Sequence, residues 1–76
     1  MPSKKSKANQ QLGRSIRSTR EQKRYSQERF ARHAGFERSN YGAIERGEFN
    51  VRLDTIVKVP AGLDMTVAAL CKKANI

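Results

Sequence analysis

Apolar residues recur along this chain at helical spacing, in short runs separated by glycine or polar turns. From Asn9 to Lys23, Leu12, Ile16 and Thr19 fall at i, i+4 and i+7, which predicts a helix with a thin apolar stripe and a basic flank. A second helix opens where Ser26 serves as N-cap; Tyr25 then takes N′ and Phe30 N4, the positions of a hydrophobic staple. Phe30, Ala31 and Ala34 follow at helical spacing, and Gly35 comes where a left-handed residue ends the helix. A third helix begins near Glu37 or Arg38 and turns Tyr41, Ile44 and Glu45 inward, with Phe36 packed in the turn. After Gly47, Glu48 to Arg52 reads as a loop, and Leu53, Ile56 and Val57 start a fourth helix. Pro60 lacks a backbone donor and crowds the preceding turn, so a kink or stop is expected near Val59, reinforced by Gly62. A fifth helix starts at Thr66 as N-cap, with Met65 and Leu70 placed for a second staple. The pattern predicts an all-α fold, a single compact five-helix domain over residues 9–76 behind a flexible basic arm at residues 1–8.

The two middle helices, Ser26 to Gly47, have the length and sharp turn of a helix-turn-helix. The outward face of the second carries Ser39, Gly42, Ala43 and Arg46, with Arg38 and Asn40 flanking at its N-terminus. Short side chains at mid-helix, bordered by long or polar ones, suit close approach to a groove floor. Arg38 has the reach and fork to engage O6 and N7 of a guanine, Ser39 and Asn40 can bond a base edge or phosphate, and Gly42 and Ala43 leave room for the bases or a thymine methyl. The competing reading is an ordinary solvated helix face.

Charge sharpens the first reading. Sixteen Lys and Arg against seven Asp and Glu give a formal charge of +9, which fits a polyanionic partner. Residues 1–24 hold eight basic groups and one acid, whereas residues 25–50 hold four of each. General attraction to phosphate therefore resides in the leading segment, and the neutral reading unit makes few indiscriminate contacts.

The residues Ser26-Gln27, Phe30-Ala31, Gly35 and Ile44-Glu45-Arg46-Gly47 resemble the pattern of the Xre-like family, the DNA-binding domain of phage repressor and Cro proteins. The resemblance covers roughly Leu12 to Leu70. The stretch from Tyr41 to Ile56 is further similar to controller proteins, small dimeric regulators that time the expression of restriction-modification systems. The resemblance implies that Arg20 pairs with Glu45, tying the first helix to the reading helix, and that Gln27 and Asn50 contact phosphates. Two departures stand out. Arg24 occupies a usual glycine position, so either a non-glycine residue adopts a left-handed conformation there or the turn differs, and Pro60 replaces a common alanine.

These observations point to a sequence-specific regulator of transcription on double-stranded DNA, with Gln27, Arg38, Ser39, Asn40, Ala43, Arg46 and Asn50 as its contact residues. One recognition helix reads too few base pairs to find a genomic site, so a homodimer on a palindromic operator is expected. Val67, Leu70, Cys71 and Ala74 share a face that completes the core or forms a dimer seam. Leu63, Met65, Val67 and Leu70 offer more apolar surface than so small a core requires. The alternative function is a protein-interaction module, an antitoxin or bridging factor built on the same fold.

Catalysis is not expected. The lone His33 has no nucleophile or ligand partner in sequence, Cys71 has no second metal-spaced cysteine, and no glycine-rich phosphate loop occurs. No metal, cofactor or small-molecule substrate is implied. A single cysteine, no apolar run of membrane-spanning length and no secretory signal point to a cytoplasmic protein without a membrane partner.

Overall fold

The computed structural model describes residues 7–48 and 53–75, and among them every regular element is a helix: α1 Lys7–Gln22, α2 Gln27–Ala34, α3 Arg38–Glu45, α4 Leu53–Gly62 and α5 Val67–Lys73. The principal packing contacts close a ring in which α1 touches α3 and α5, α2 touches α3 and α4, and α4 touches α5. Each helix needs only one apolar stripe to fill the space inside, which is how a chain with little apolar residue to spare encloses a core. That core is Ile16, Phe30, Ala31, Tyr41, Ile44, Val59, Leu63 and Leu70.

Helix α1 starts at Lys7, two residues before the expected boundary, because Lys7 and Ala8 are good helix formers that extend it at no packing cost. The remainder of the proposed arm, residues 1–6, lies outside the described residues. Ser26 caps α2 by accepting from the Arg29 N–H at 3.1 Å, and the Tyr25 and Phe30 rings meet edge to face with centroids 5.5 Å apart. Thr66 caps α5 in the same way. Exposed His33 stacks on Tyr25 at 5.2 Å.

Four helices end alike. Arg24, Gly35, Gly47 and Asp64 are left-handed (φ 64°, 86°, 76° and 57°), each followed by a residue whose N–H reaches back five residues to a carbonyl of the last turn. Arg24 thus keeps the turn that glycine would make and bears the steric cost of its Cβ. Of the kink or stop expected at Pro60, the stop is corrected: α4 runs through it to Gly62. Only one turn of helix remains beyond the ring, and the ring itself is fully buried, so apolar burial offsets the missing donor. The seam residues need correction as well. Leu63 and Leu70 are 0% and 4% exposed and belong to the monomer core; Met65 and Cys71, half-buried, and Val67 retain accessible surface.

Helix α1 crosses α3 at Gly13. A Cβ there would lie 2.7 Å from the Ile44 carbonyl oxygen and closer still to that of Glu45, both backbone atoms that have no freedom to retreat. Two turns further along, Arg20 forks onto the Glu45 carboxylate, Nε to Oε2 at 2.6 Å and Nη2 to Oε1 at 3.2 Å, and Nη1 donates to the Tyr25 carbonyl at 2.7 Å. Glu45 also accepts from the Tyr41 hydroxyl and from the Gln27 amide at 2.9 Å. The two charged side chains are 8% and 2% exposed. Burial pushes the Glu45 carboxyl up, but the hydrogen bonds from Arg20, Tyr41 and Gln27 outweigh it and hold the group below its ordinary value. Burial, reinforced by Glu45, drives the Tyr41 phenol far above its ordinary value, so it stays a donor.

Three stability predictions follow from this packing. Gly13→Ala is expected to lose about 3 kcal/mol or more, read as the urea midpoint, since a forced shift of α1 from α3 leaves the apolar stripe poorly packed; an unchanged midpoint would contradict the crossing. Arg24→Gly removes the left-handed penalty against a larger unfolded-state entropy and is expected to gain up to about 1 kcal/mol, whereas a loss would show that Arg24 makes a compensating contact. Unfolding returns Glu45 to its ordinary affinity for protons, so the unfolded chain protonates first as pH falls. The stability due to this group is then complete above about pH 5 and lost progressively below it, down through the depressed folded value. Glu45→Gln, less stable at pH 7, is expected to show a shallower fall between about pH 5 and pH 3, and parallel curves would contradict the assignment.

Candidate nucleic-acid interface

Helices α2 and α3 are joined by Gly35, Phe36 and Glu37, and the partly buried Phe36 ring lies 6.2 Å from that of Tyr41. Tyr41 and Ile44 anchor one side of α3 in the core, so the other side faces outward by the geometry of the helix alone. Arg38, Ser39 and Asn40 are all exposed in its first turn, and Ala43 is half-buried one turn later. Arg38 forms no ion pair with another described residue, which leaves its guanidinium available to a ligand.

Ser39 donates its hydroxyl to the Glu37 carboxylate at 2.7 Å, so what it offers outward is an acceptor. Glu37 itself occupies the N-cap position of α3 without a side-chain capping bond. Its carboxylate stands at the leading edge of the helix, where the hydrophobic periodicity marks only a boundary; charge at the cap was the signal that distinguishes it.

Gly42 is buried, contrary to its placement on the open face. The Arg46 side chain folds back along α3 and brings Nη1 to 3.2 Å from where a Cβ on Gly42 would stand, with the Gln27 Oε1 at 4.0 Å. Residues four apart share a helix face, so the Gly42 and Arg46 spacing carried this contact. The Arg46 Nε also donates to Glu48 at 3.2 Å while the side chain stays 57% exposed. Arg46 is therefore a surface cation laid flat across the helix.

Gln27, at the start of α2, spends one amide proton on Glu45 and has a second to give. Its bond ties the N-terminus of α2 to α3, and sequence spacing had not indicated it. Asn50 lies outside the described residues. Gln27, Ser39, Asn40, Ala43 and Arg46 thus gather with Arg38 on or beside one helix. Exposed Arg14, Lys23 and Arg24 are further cations on α1 and in the turn that ends it. Among the described residues no group of three metal-ligating side chains is assembled, and no helix is long and apolar enough to cross a membrane.

This arrangement has known counterparts. The profile of a family described as a helix-turn-helix domain matches residues 11–75. Control protein C.MunI from Mycoplasma sp is 37% identical over 60 residues, covering 78% of this chain and 81% of that protein. The crystal structure of the restriction-modification controller protein C.AhdI from Aeromonas hydrophila is similar with a TM-score of 0.75 and 38% identity, over 80% of this chain and 92% of that one. The clp gene regulator ClgR from Corynebacterium glutamicum is similar in fold, with a TM-score of 0.83 at 22% identity over 95% of this chain and 77% of that one. With these matches spanning both the reading helices and the helices that brace them, the chain belongs to the Xre-like helix-turn-helix family of DNA-binding regulators and is of the controller-protein type, not an enzyme.

Proposed function

We propose that this regulator binds a palindromic operator in double-stranded DNA as a homodimer, inserting α3 into the major groove. The observation that carries the reading is the exposed Arg38, without an ion-pair partner among the described residues, in the first turn of a helix whose mid-helix outward position is the short Ala43. A guanidinium so placed suits the two acceptors of a guanine edge, and Ala43 leaves the helix close enough for it to reach. Asn40 and Ser39 supply further base or phosphate contacts, and Arg46 supplies a cation from the far end of the same face.

Gln27 and Asn50 take the positioning role. The second amide proton of Gln27 is directed to a phosphate while the first holds α3, which couples the docking of the backbone to the angle of the reading helix. The basic groups of α1 add sequence-independent attraction.

Dimerisation through the side of α4 and α5 fits the apolar surface left there. Val57 and Val67 are 54% and 40% exposed, with Met65 half-buried. A two-fold axis on that side would set two copies of α3 about 34 Å apart, one turn of DNA, and so call for half-sites about ten base pairs centre to centre. The cytoplasm, where operator DNA and reduced thiols both occur, is the proposed location; Cys71 is a free thiol.

Arg38→Ala is expected to weaken operator binding by about 1–3 kcal/mol and to relax preference at one base pair per half-site. An equal loss on operator and random DNA would contradict base reading. Gln27→Ala is expected to weaken binding to all sequences alike, and a changed consensus would overturn its positioning role. For assembly, Val67→Asp together with Val57→Asp is expected to convert a sedimenting dimer to a monomer of unchanged helicity with lost operator affinity. A wild-type monomer bound tightly to a single non-palindromic site would sink the dimer.

A further inference from the structure

Helix α1 has a second working face. Gln10 packs beneath Gly47, Gly13 against Ile44 and Arg20 on Glu45, so these positions look toward α3. Gln11, Ser15 and Ser18 sit roughly 140° around the helix from them, at 3.6 residues per turn. There they line a cleft of about 420 Å³ with Arg14, opposite Lys73 and Ala74 of α5.

The chemistry of this cleft is one-sided. Two cations, two hydroxyls and an amide line it, and no acidic side chain does. Lys73 donates to the Gln22 side-chain Oε1 at 3.3 Å, which holds the ammonium beside α1 and leaves two protons for another acceptor. Ser15 is the telling group. Its residue is only 8% exposed, yet its Oγ has no hydrogen-bond partner among the described residues. A buried hydroxyl without a partner costs stability, and such groups in native folds point to a function or to a bound species. The backbone carbonyl of the same residue is satisfied by the Thr19 hydroxyl at 2.9 Å, so the orphan is the side chain alone.

We propose that the α1–α5 cleft is an oxyanion site that takes a phosphate group. Arg14 and Lys73 supply the charge, and Ser15, Ser18 and the Gln11 amide supply directed donors. The carbonyl end of α5 opposes an anion, and Lys72 and Lys73 in its last turn offset it. The position of the cleft, well around α1 from the line that meets α3, favours a free phosphate-bearing solute over the backbone of DNA held by α3. Such a solute would pin α5 to α1 and thereby bear on the helix ring that supports α3.

The test uses the full chain at constant pH and ionic strength, titrated with inorganic phosphate against chloride and followed by amide NMR and thermal unfolding. The expected result is saturable shifts in residues 11–18 and 73–74, with residues 38–43 unmoved, and a midpoint that rises with phosphate. Arg14→Gln and Ser15→Ala are each expected to weaken phosphate binding about tenfold, the scale of one charge-assisted contact. In the absence of phosphate, Ser15→Ala is expected to leave the midpoint unchanged or higher, because it deletes an unpartnered hydroxyl. Duplex DNA of unrelated sequence forms the second arm. If free phosphate fails to bind but both variants lose affinity for any duplex and Arg14→Gln lowers the salt dependence by about one ion, the phosphate held is that of the DNA backbone. Absence of saturable phosphate binding together with unaltered DNA binding would overturn the site. So would a strongly destabilising Ser15→Ala, which would mean that the hydroxyl is bonded within the fold.

Discussion

The buried pair between Arg20 and Glu45 is the constraint from which the geometry of this protein follows. Taking both charges out of water is costly, and the cost is met only because every facing group is committed. Arg20 forks onto the carboxylate and also bonds the Tyr25 carbonyl, while Tyr41 and Gln27 fill the remaining acceptor sites of Glu45. Through these bonds one carboxylate fixes three helices and the turn between the first two. An apolar contact of similar volume would supply comparable stability but would tolerate sliding. The ion pair accepts one register, and the angle of α3 against α2 is what a DNA-reading unit must hold constant.

Charge is partitioned with the same economy. The unit from Tyr25 to Asn50 balances its basic and acidic residues; Arg46 pairs with Glu48 within it, and Glu45 is paired from α1 by Arg20. The excess positive charge belongs to the leading segment and α1. On the proposed reading, attraction to any polyanion and discrimination among sequences thereby fall to different elements. Of the two arginines at the ends of α3, Arg38 has no ion-pair partner among the described residues, and that separates it from Arg46 more clearly than their shared face does.

What was legible in the sequence was local. The caps at Ser26 and Thr66, the Tyr25–Phe30 staple and the left-handed Gly35 each follow from a few neighbouring residues, and each stands as expected. Periodicity gave the inward faces of α2 and α3 but not what lies across from them, so Leu63 and Leu70 read as surplus apolar surface although they close the core. Pro60 misled because local rules count the lost hydrogen bond and omit the burial of the ring. The Arg20–Glu45 pair came from resemblance to a family, since residues 25 apart in sequence carry no spacing signal. The Gln27 bond to Glu45 depends on how helices meet, which only the packed structure supplies, whereas the fold of Arg46 over Gly42 was within reach of their i, i+4 spacing.

The account makes α3, held by this clamp and presented twice, the element that reads DNA. Selection of bound sequences from a random duplex pool by the wild-type protein tests that most directly. It is expected to return an inverted repeat with half-sites about ten base pairs apart, centre to centre, each containing a guanine within reach of Arg38. A pool that stays unenriched, or that yields a single asymmetric site, would contradict it.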